Sequence, residues 1–352
     1  MSVETLVVTE DEDGMRLDRW FKLRLPQLSL SHLNKIVRKG EVRVDGKRCE
    51  TSTRLSTGAN VRVPPLQTRV PEGVAAPSVR RTPSDADAKA LRDMILFEDK
   101  HLLVLNKPYG LAVQGGSGMV RHVDGMLEAL TDANGERPRL VHRLDRDTSG
   151  VLLVAKTRRI AADLGEAFRA RTAQKVYWSV VEGVPRPAQG RISLFLAKGE
   201  GMSDARPTKP GIGRAGLEKM RVAKHGEEDA QHSITYYATV DKAAPRLSWL
   251  SMKPITGRTH QLRAHAEAIG HPIIGDPKYS GPKPLHPVDP LRAIPDEVER
   301  KLHLLARRLR LPHPRGGTID VTAPLPPHMQ KTFDIFGFDV RQYDPIEDAP
   351  EA

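Results

Sequence analysis

Val141-His142-Arg143-Leu144-Asp145-Arg146-Asp147-Thr148-Ser149-Gly150 runs directly into Val151-Leu152-Leu153-Val154-Ala155, a charge-dense loop followed by an apolar run too uniform for a half-exposed strand. A buried strand that delivers a polar loop is a frequent setting for catalysis and also an ordinary structural turn, so spacing alone leaves both readings open. Outward from this stretch, Ile95-Leu96-Phe97, Leu102-Leu103-Val104-Leu105 and Tyr177-Trp178-Ser179-Val180-Val181 read as further short strands. Residues Ile160 to Ala170 and Thr259 to Ile269 carry apolar positions at helical spacing. Sheet and helix are therefore mixed, and the predicted class is α+β.

The N-terminal part is a smaller unit. Leu17, Trp20 and Phe21, then Leu33, Ile36 and Val37, predict two short helices separated at Pro26, with Ser29 or Ser31 as N-cap and Gly40 as C-cap of the second. Val42-Arg43-Val44-Asp45-Gly46 reads as a strand entering a turn. Arg16, Arg19, Lys35, Arg38, Lys39 and Arg43 flank the apolar positions, forming either a solvated face or a surface for a polyanion. The Pro-rich stretch that follows has few large apolar residues and reads as a linker. Lys198 to Ser233 and Pro277 to Pro295 read as surface insertions, and the acidic, Pro-containing end as a poorly ordered tail. The expected division is 14–64 for the small domain, 65–92 for the linker, 93–338 for the catalytic domain and 339–352 for the tail.

Composition narrows the partner class. Of 352 residues, 55 are Lys or Arg and 44 Asp or Glu, a formal charge of +11, so the average field attracts polyanions and nucleic acid leads the candidates. Cys49 is the single cysteine, which excludes an intramolecular disulfide and a multi-cysteine zinc site and suits a reducing cytosol. With no basic-then-apolar leader and no apolar run near the ~20 residues of a membrane span, the expectation is a soluble, cytoplasmic protein. His260, His265 and His271 miss the i, i+4 spacing of a helical metal site. Gly211-Ile212-Gly213-Arg214-Ala215-Gly216 matches a dinucleotide-binding glycine pattern but follows Arg-Pro-Thr-Lys-Pro rather than a strand. Neither a metal nor an organic cofactor is expected.

Three segments carry a resemblance when taken together. His142-Arg143-Leu144-Asp145 with Thr148-Ser149-Gly150, Lys175 with Tyr177, and Gly257-Arg258-Thr259-His260-Gln261-Leu262-Arg263 resemble the signature segments of the RluA-type ribosomal pseudouridine synthases. Asn106-Lys107-Pro108 and Gly115-Gly116-Ser117-Gly118 resemble the synthase C branch of that family, whereas Gly275-Asp276-Pro277-Lys278-Tyr279 is closer to the general family pattern. The basic N-terminal unit resembles the small RNA-binding domain first described in ribosomal protein S4. The resemblance implies a mixed, mainly antiparallel sheet flanked by helices, and isomerisation of uridine to pseudouridine in large-subunit ribosomal RNA by a monomer without a cofactor. It also implies the roles: Asp145 as catalytic carboxylate, Tyr177 stacked on the target base, Arg263 paired with Asp145, and Arg143 filling the stack vacated by the extruded nucleotide.

Two other readings compete. A non-catalytic RNA-binding or ribosome-assembly factor of the same fold would have lost the key carboxylate, Tyr or Arg, and all three are present. Asp145-Arg146-Asp147-Thr148 also satisfies the pattern of phosphotransferases with an aspartyl nucleophile, but those need a strand before the motif and a later acidic pair for magnesium; here the strong apolar run follows it, and Asp276 is a single acid.

Overall fold

The computed structural model describes residues 3–9, 12–25, 28–65, 84–115, 121–199, 219–280 and 293–350. Chain contacts divide the protein into two units, Met1–Pro77 and Ser78–Ala352. In the first, β1 (Glu4–Val7), α1 (Leu17–Arg24), α2 (Leu30–Arg38), β2 (Arg43–Val44), β3 (Lys47–Arg48) and β4 (Asn60–Val63) follow in chain order, and the strands form a sheet of order β1-β4-β2-β3. The six apolar residues picked out by helical spacing are all buried in one cluster, where Trp20 and Phe21 meet edge to face at 5.3 Å. Ser29 caps α2 by accepting the His32 N–H. Gly40, at φ +73°, ends it: its N–H donates to Val37 O and that of Glu41 to Ile36 O, the paired bonds of a Schellman turn.

The second unit contains α3 (Asp85–Arg92), β5 (Ile95–Glu98), β6 (Leu102–Lys107), α4 (Val123–Met126), β7 (Arg139–Leu140), β8 (Ser149–Ala155), α5 (Arg158–Arg169), β9 (Gln174–Glu182), β10 (Gln189–Lys198), β11 (Met220–Ala223), β12 (Gln231–Ala243), β13 (Leu247–Pro254), α6 (Gln261–Ala268), β14 (Leu304–Pro312), β15 (Thr318–Thr322) and α7 (Pro327–Phe336). Its sheet runs β11-β10-β12-β13-β9-β14-β8-β6-β5, with β15 on β14 and β7 on β8. Every pairing is antiparallel except that of β14 with β8. The uniform apolarity of β8 has its reason in two cores. Val151, Leu153 and Ala155 join one with Trp178, Trp249 and Phe333, while Leu152 and Val154 join another with Leu103, Leu105 and Leu127.

The parallel contact is short, Leu305 opposite Ser149 and Ala306 opposite Gly150, and it fixes where the Asp145 loop enters the sheet. Gly150 sits at φ +107°, and a Cβ there would lie 2.3 Å from the carbonyl oxygen of Ala306. Only glycine lets the two backbones approach so closely.

Several expectations change. Within the stretch read as a linker, 66–83 lie outside the described residues, but 85–92 form α3. Ser84 and Asp87 close a capping box at its start, and Leu91 is fully buried. β1 lies before position 14 and pairs with β4 along its whole length. Within the first supposed insertion 200–218 lie outside the described residues, yet β11 and the start of β12 fall inside it and pair with β10. Of the second, 281–292 lie outside. The acidic end is anchored: Trp178 Nε1 donates to Asp344 at 2.9 Å, Arg308 Nη1 to Glu347 at 2.8 Å, Lys253 Nζ to the Ala349 carbonyl at 2.9 Å, and Ile346 is buried. These contacts join positions far apart in sequence, so local composition cannot reveal them. Among the described residues, no helix is long and apolar enough to cross a membrane.

Candidate active site

Asp145 lies on the loop between β7 and β8, and a half-buried His142 and a buried Lys107 shape that loop. His142 stacks on Phe168 at 4.9 Å, and its Nε2 accepts the Leu153 N–H at 2.9 Å. Burial pushes the ring down to about 3, so it is a neutral prop. Lys107, with no exposed surface, donates to the carbonyls of Pro108, Leu111 and Arg146 at 2.8 to 2.9 Å. All three ammonium protons are satisfied by backbone, so Lys107 clasps the turn beside Asp145 rather than facing a ligand.

α6 supplies the other wall. Gln261 organises its first turn: Oε1 accepts from Thr256 Oγ1 and the Arg258 N–H, and Nε2 donates to the Ile234 carbonyl and to Thr235 Oγ1. His265 continues the network along β12, with Nδ1 3.0 Å from Thr235 Oγ1 and Nε2 2.8 Å from Ser233 Oγ, whose proton goes to the Leu194 carbonyl. The segment Gly257 to His265 thus nails α6 to the sheet through buried polar pairs.

His265 and His303 have no exposed surface, and burial draws each down to about 4. As pH falls below the ordinary histidine value near 6.5 the unfolded chain takes up protons that the native rings refuse, so stability declines between pH 6.5 and about 4. At pH 5 the loss is on the order of 2 kcal/mol per ring. The melting temperature at pH 5 should lie roughly 10 °C below that at pH 7.5. Calorimetric melts that coincide at the two values would show that these rings are not held neutral.

Arg263, which is 3% exposed, projects from α6 between two carboxylates. The expected pair with Asp145 is present but long, 3.5 Å from Nη1 to Oδ2, and the guanidinium is shared: Nε and Nη2 grip Asp276 at 2.7 Å each. Asp276 is the better partner because it is fully buried, lies side-on to the guanidinium fork, and also accepts the N–H groups of Lys278 and Tyr279. Gly275 makes that turn possible, since a Cβ there would sit 2.0 Å from the Lys301 carbonyl oxygen. Sequence reading passed over Asp276 as a lone acid. Its placement between Gly and Pro directly after Ile273-Ile274 was the available signal of a buried turn. With Asp276 occupied by Arg263, and Asp147 held by Arg146 at 3.0 Å, the carboxylates needed for a magnesium phosphotransferase are already engaged.

Tyr177, on β9, lines the same cleft, half-buried; burial and the charge of Asp145 both push its phenol above the ordinary value. Asp145, Tyr177 and Arg263 are therefore brought together, with exposed Arg143 at the rim, around a cavity of about 690 Å³. Asp145 is the one carboxylate among its described lining residues, against Arg143, Arg169, Arg171, Lys175, Lys253, Arg258 and Arg263. The remaining basic candidates lie in the first unit. Arg19, Lys35, Arg38 and Lys39 are exposed, Arg16 is paired with Asp18 at 2.8 Å, and Arg43 donates to the Gly46 carbonyl. Those last two, and Lys39, which lies 3.6 Å from Glu41, are partly committed within the protein.

Comparison with known proteins shows what the chain is similar to. A family model described as RNA pseudouridylate synthase matches residues 101–268, and one described as S4 domain matches 15–61. The chain is 35% identical to ribosomal large subunit pseudouridine synthase C of Vibrio vulnificus, covering 94% of this chain and 95% of that one. It is 36% identical to the protein of the same name from Escherichia coli K12, covering 92% and 93%. Among solved structures, human RNA Pseudouridylate Synthase Domain Containing 4 is similar with a TM-score of 0.55 at 28% identity, covering 71% of this chain and 95% of that one.

Proposed function

The chain belongs to the RNA pseudouridylate synthase family, and from that premise we propose that it isomerises specific uridines of large-subunit ribosomal RNA with Asp145 as its catalytic carboxylate. The observation that carries this is a cleft in which, among the described lining residues, Asp145 is the single carboxylate and seven are Arg or Lys. Pseudouridine formation breaks the bond from ribose C1′ to uracil N1, turns the base and joins C1′ to C5, after which the C5 proton is lost and N1 gains one. No water is consumed, so the acid and base pair of a glycoside hydrolase is not needed, and one carboxylate serves throughout. The cations suit a nucleotide extruded with its flanking phosphates.

In this reading Tyr177 stacks on the uracil, a contact of ~1–3 kcal/mol. Arg143, exposed at the rim, occupies the space the base leaves. Arg263 steadies Asp145 from a distance while its charge is largely met by Asp276. The test is tritium release from large-subunit ribosomal RNA labelled at uracil C5, joined to a map of pseudouridines in cells with and without the protein. No release and an unaltered map would leave RNA binding as the function. The proposal extends to a cytoplasmic monomer that needs no cofactor, checked by sedimentation and by turnover after EDTA and dialysis.

The first unit is read as an RNA grip without a part in the chemistry, with residues 14–64 as its proposed extent and 93–338 that of the catalytic domain. Lys35 and Arg38 on α2 and Lys39 at its end are exposed, and Lys35 and Lys39 line a shallow depression with Ser29, His32 and Glu41. Replacing all three by alanine removes up to three phosphate contacts, each worth ~0.7 in the slope of log affinity against log salt for single-stranded RNA. The slope should fall by about 2, with turnover at saturating RNA within about two-fold of wild type. Affinity titrations at several salt concentrations decide it, and an unchanged slope would mark the face as merely solvated.

A further inference from the structure

His260 immediately precedes α6 with φ +51° and ψ +20°, a left-handed conformation that non-glycine residues seldom adopt, and its ring makes no cap hydrogen bond to the helix. The strain is explained by where the ring goes. Its Nδ1 is 3.1 Å from Tyr279 Oη, the two rings meet edge to face, and its Nε2 points to Asp145, 3.8 Å from Oδ2.

The proton positions follow from counting donors. Tyr279 Oη accepts the Met220 N–H at 2.8 Å, so its own proton needs an acceptor, and among the described residues His260 Nδ1 is the one within reach. Burial pushes the Tyr279 phenol upward, keeping that proton in place, and Lys219 and Arg263 lie over its ring at 4.9 and 5.1 Å. A neutral imidazole that accepts at Nδ1 carries its hydrogen on Nε2. Burial also draws His260 down to about 4, so the ring is neutral at physiological pH.

We infer that Tyr279 locks His260 in the tautomer whose Nε2–H faces Asp145, making His260 a positioning residue for the catalytic carboxylate. This rests on the reading of Asp145 given above. Nε and Nη2 of Arg263 are committed to Asp276, and among the described residues the side-chain donors nearest Asp145 are Arg263 Nη1 at 3.5 Å and His260 Nε2 at 3.8 Å. The Nε2–H is then a neutral donor able to close on Asp145 when a nucleotide fills the cleft, beside an Arg263 whose other two N–H groups are held by Asp276, a tightening often seen between free and bound active sites. A neutral donor aims the carboxylate without cancelling its charge.

The test combines spectroscopy and kinetics on the full chain. In 15N-histidine-labelled protein, the ring signals lost in His260→Gln identify His260; Nδ1 should resonate as an unprotonated nitrogen and Nε2 as an N–H. In Tyr279→Phe the same ring should become a mixture of tautomers and kcat should fall about ten-fold, the effect of one hydrogen bond, with KM within two-fold. His260→Asn, which suits the left-handed backbone but is too short to reach Asp145, should lose about as much, and His260→Gln, whose amide reaches, should recover most of it. An Nδ1–H tautomer in the wild type overturns the lock whatever the kinetics, as does wild-type kcat in a folded Tyr279→Phe. An active Asp145→Asn with the Nε2–H tautomer intact would instead remove the catalytic reading of Asp145, and the positioning role with it.

Discussion

Asp145→Asn should reduce tritium release by a factor on the order of 10⁴ or more while leaving the protein folded and bound to RNA. The substitution keeps the shape of the side chain and removes its charge, and with it any capacity to act as nucleophile or base. The fold has little stake in that charge. Asp145 is partly exposed, the nearest cationic atom among the described residues is 3.5 Å away, and Arg263 retains its two 2.7 Å bonds to Asp276. A change within about 1 kcal/mol is therefore expected in the melt. RNA affinity should hold or rise, because one negative charge leaves a cleft lined by cations. Turnover of the Asn variant near the wild-type rate would remove Asp145 from the mechanism; loss of both turnover and folding would mean its contacts matter more than the geometry indicates.

What the sequence disclosed and what it hid divide along a physical line. The loop before β8 was legible because both faces of that strand are covered, which leaves an unbroken apolar run next to a cluster of charge. The turn at Gly40 was legible because a left-handed residue after a helix selects glycine locally. Tertiary partners were not. Lys107 resembles any surface lysine until its three carbonyl acceptors are known, one of them 39 residues away. The long antiparallel run of β10 to β13 escaped because the alternation of β12 changes phase at the adjacent buried pair Tyr237 and Ala238, and β13 is buried at every position. The docking of Asp344 on Trp178 spans 166 residues, and no local pattern encodes it. In the site itself the residue types were readable, but the allegiance of Arg263 depends on a turn that brings Asp276 under it.

That allegiance sets the second large effect. Asp276→Asn preserves volume and still offers an oxygen to the N–H groups of Lys278 and Tyr279, but it leaves Arg263, 3% exposed, without the counterion that balances its burial. Removing one partner of a buried pair costs about 3–5 kcal/mol, since the remaining charge stays out of water. For a unit of this size the melting temperature should drop by roughly 10 °C. A second consequence separates this pair from a purely structural bridge. Freed from Asp276, the guanidinium has one other carboxylate near it among the described residues, Asp145 at 3.5 Å, and closing on that group would neutralise the charge on which the proposed mechanism depends. Turnover should therefore fall at least ten-fold even at a temperature where the variant is fully folded, and KM for RNA should change little. Arg263→Lys tests the same logic from the other side: an ammonium cannot make the bidentate grip, so it should lose stability in the same direction. Calorimetry combined with turnover at about 10 °C reads both effects. An Asn variant that melts like the wild type would show that Asp276 carries little of the burden assigned to it; one that is destabilised yet turns over normally when folded would show that the pair holds the fold but does not set the charge at Asp145.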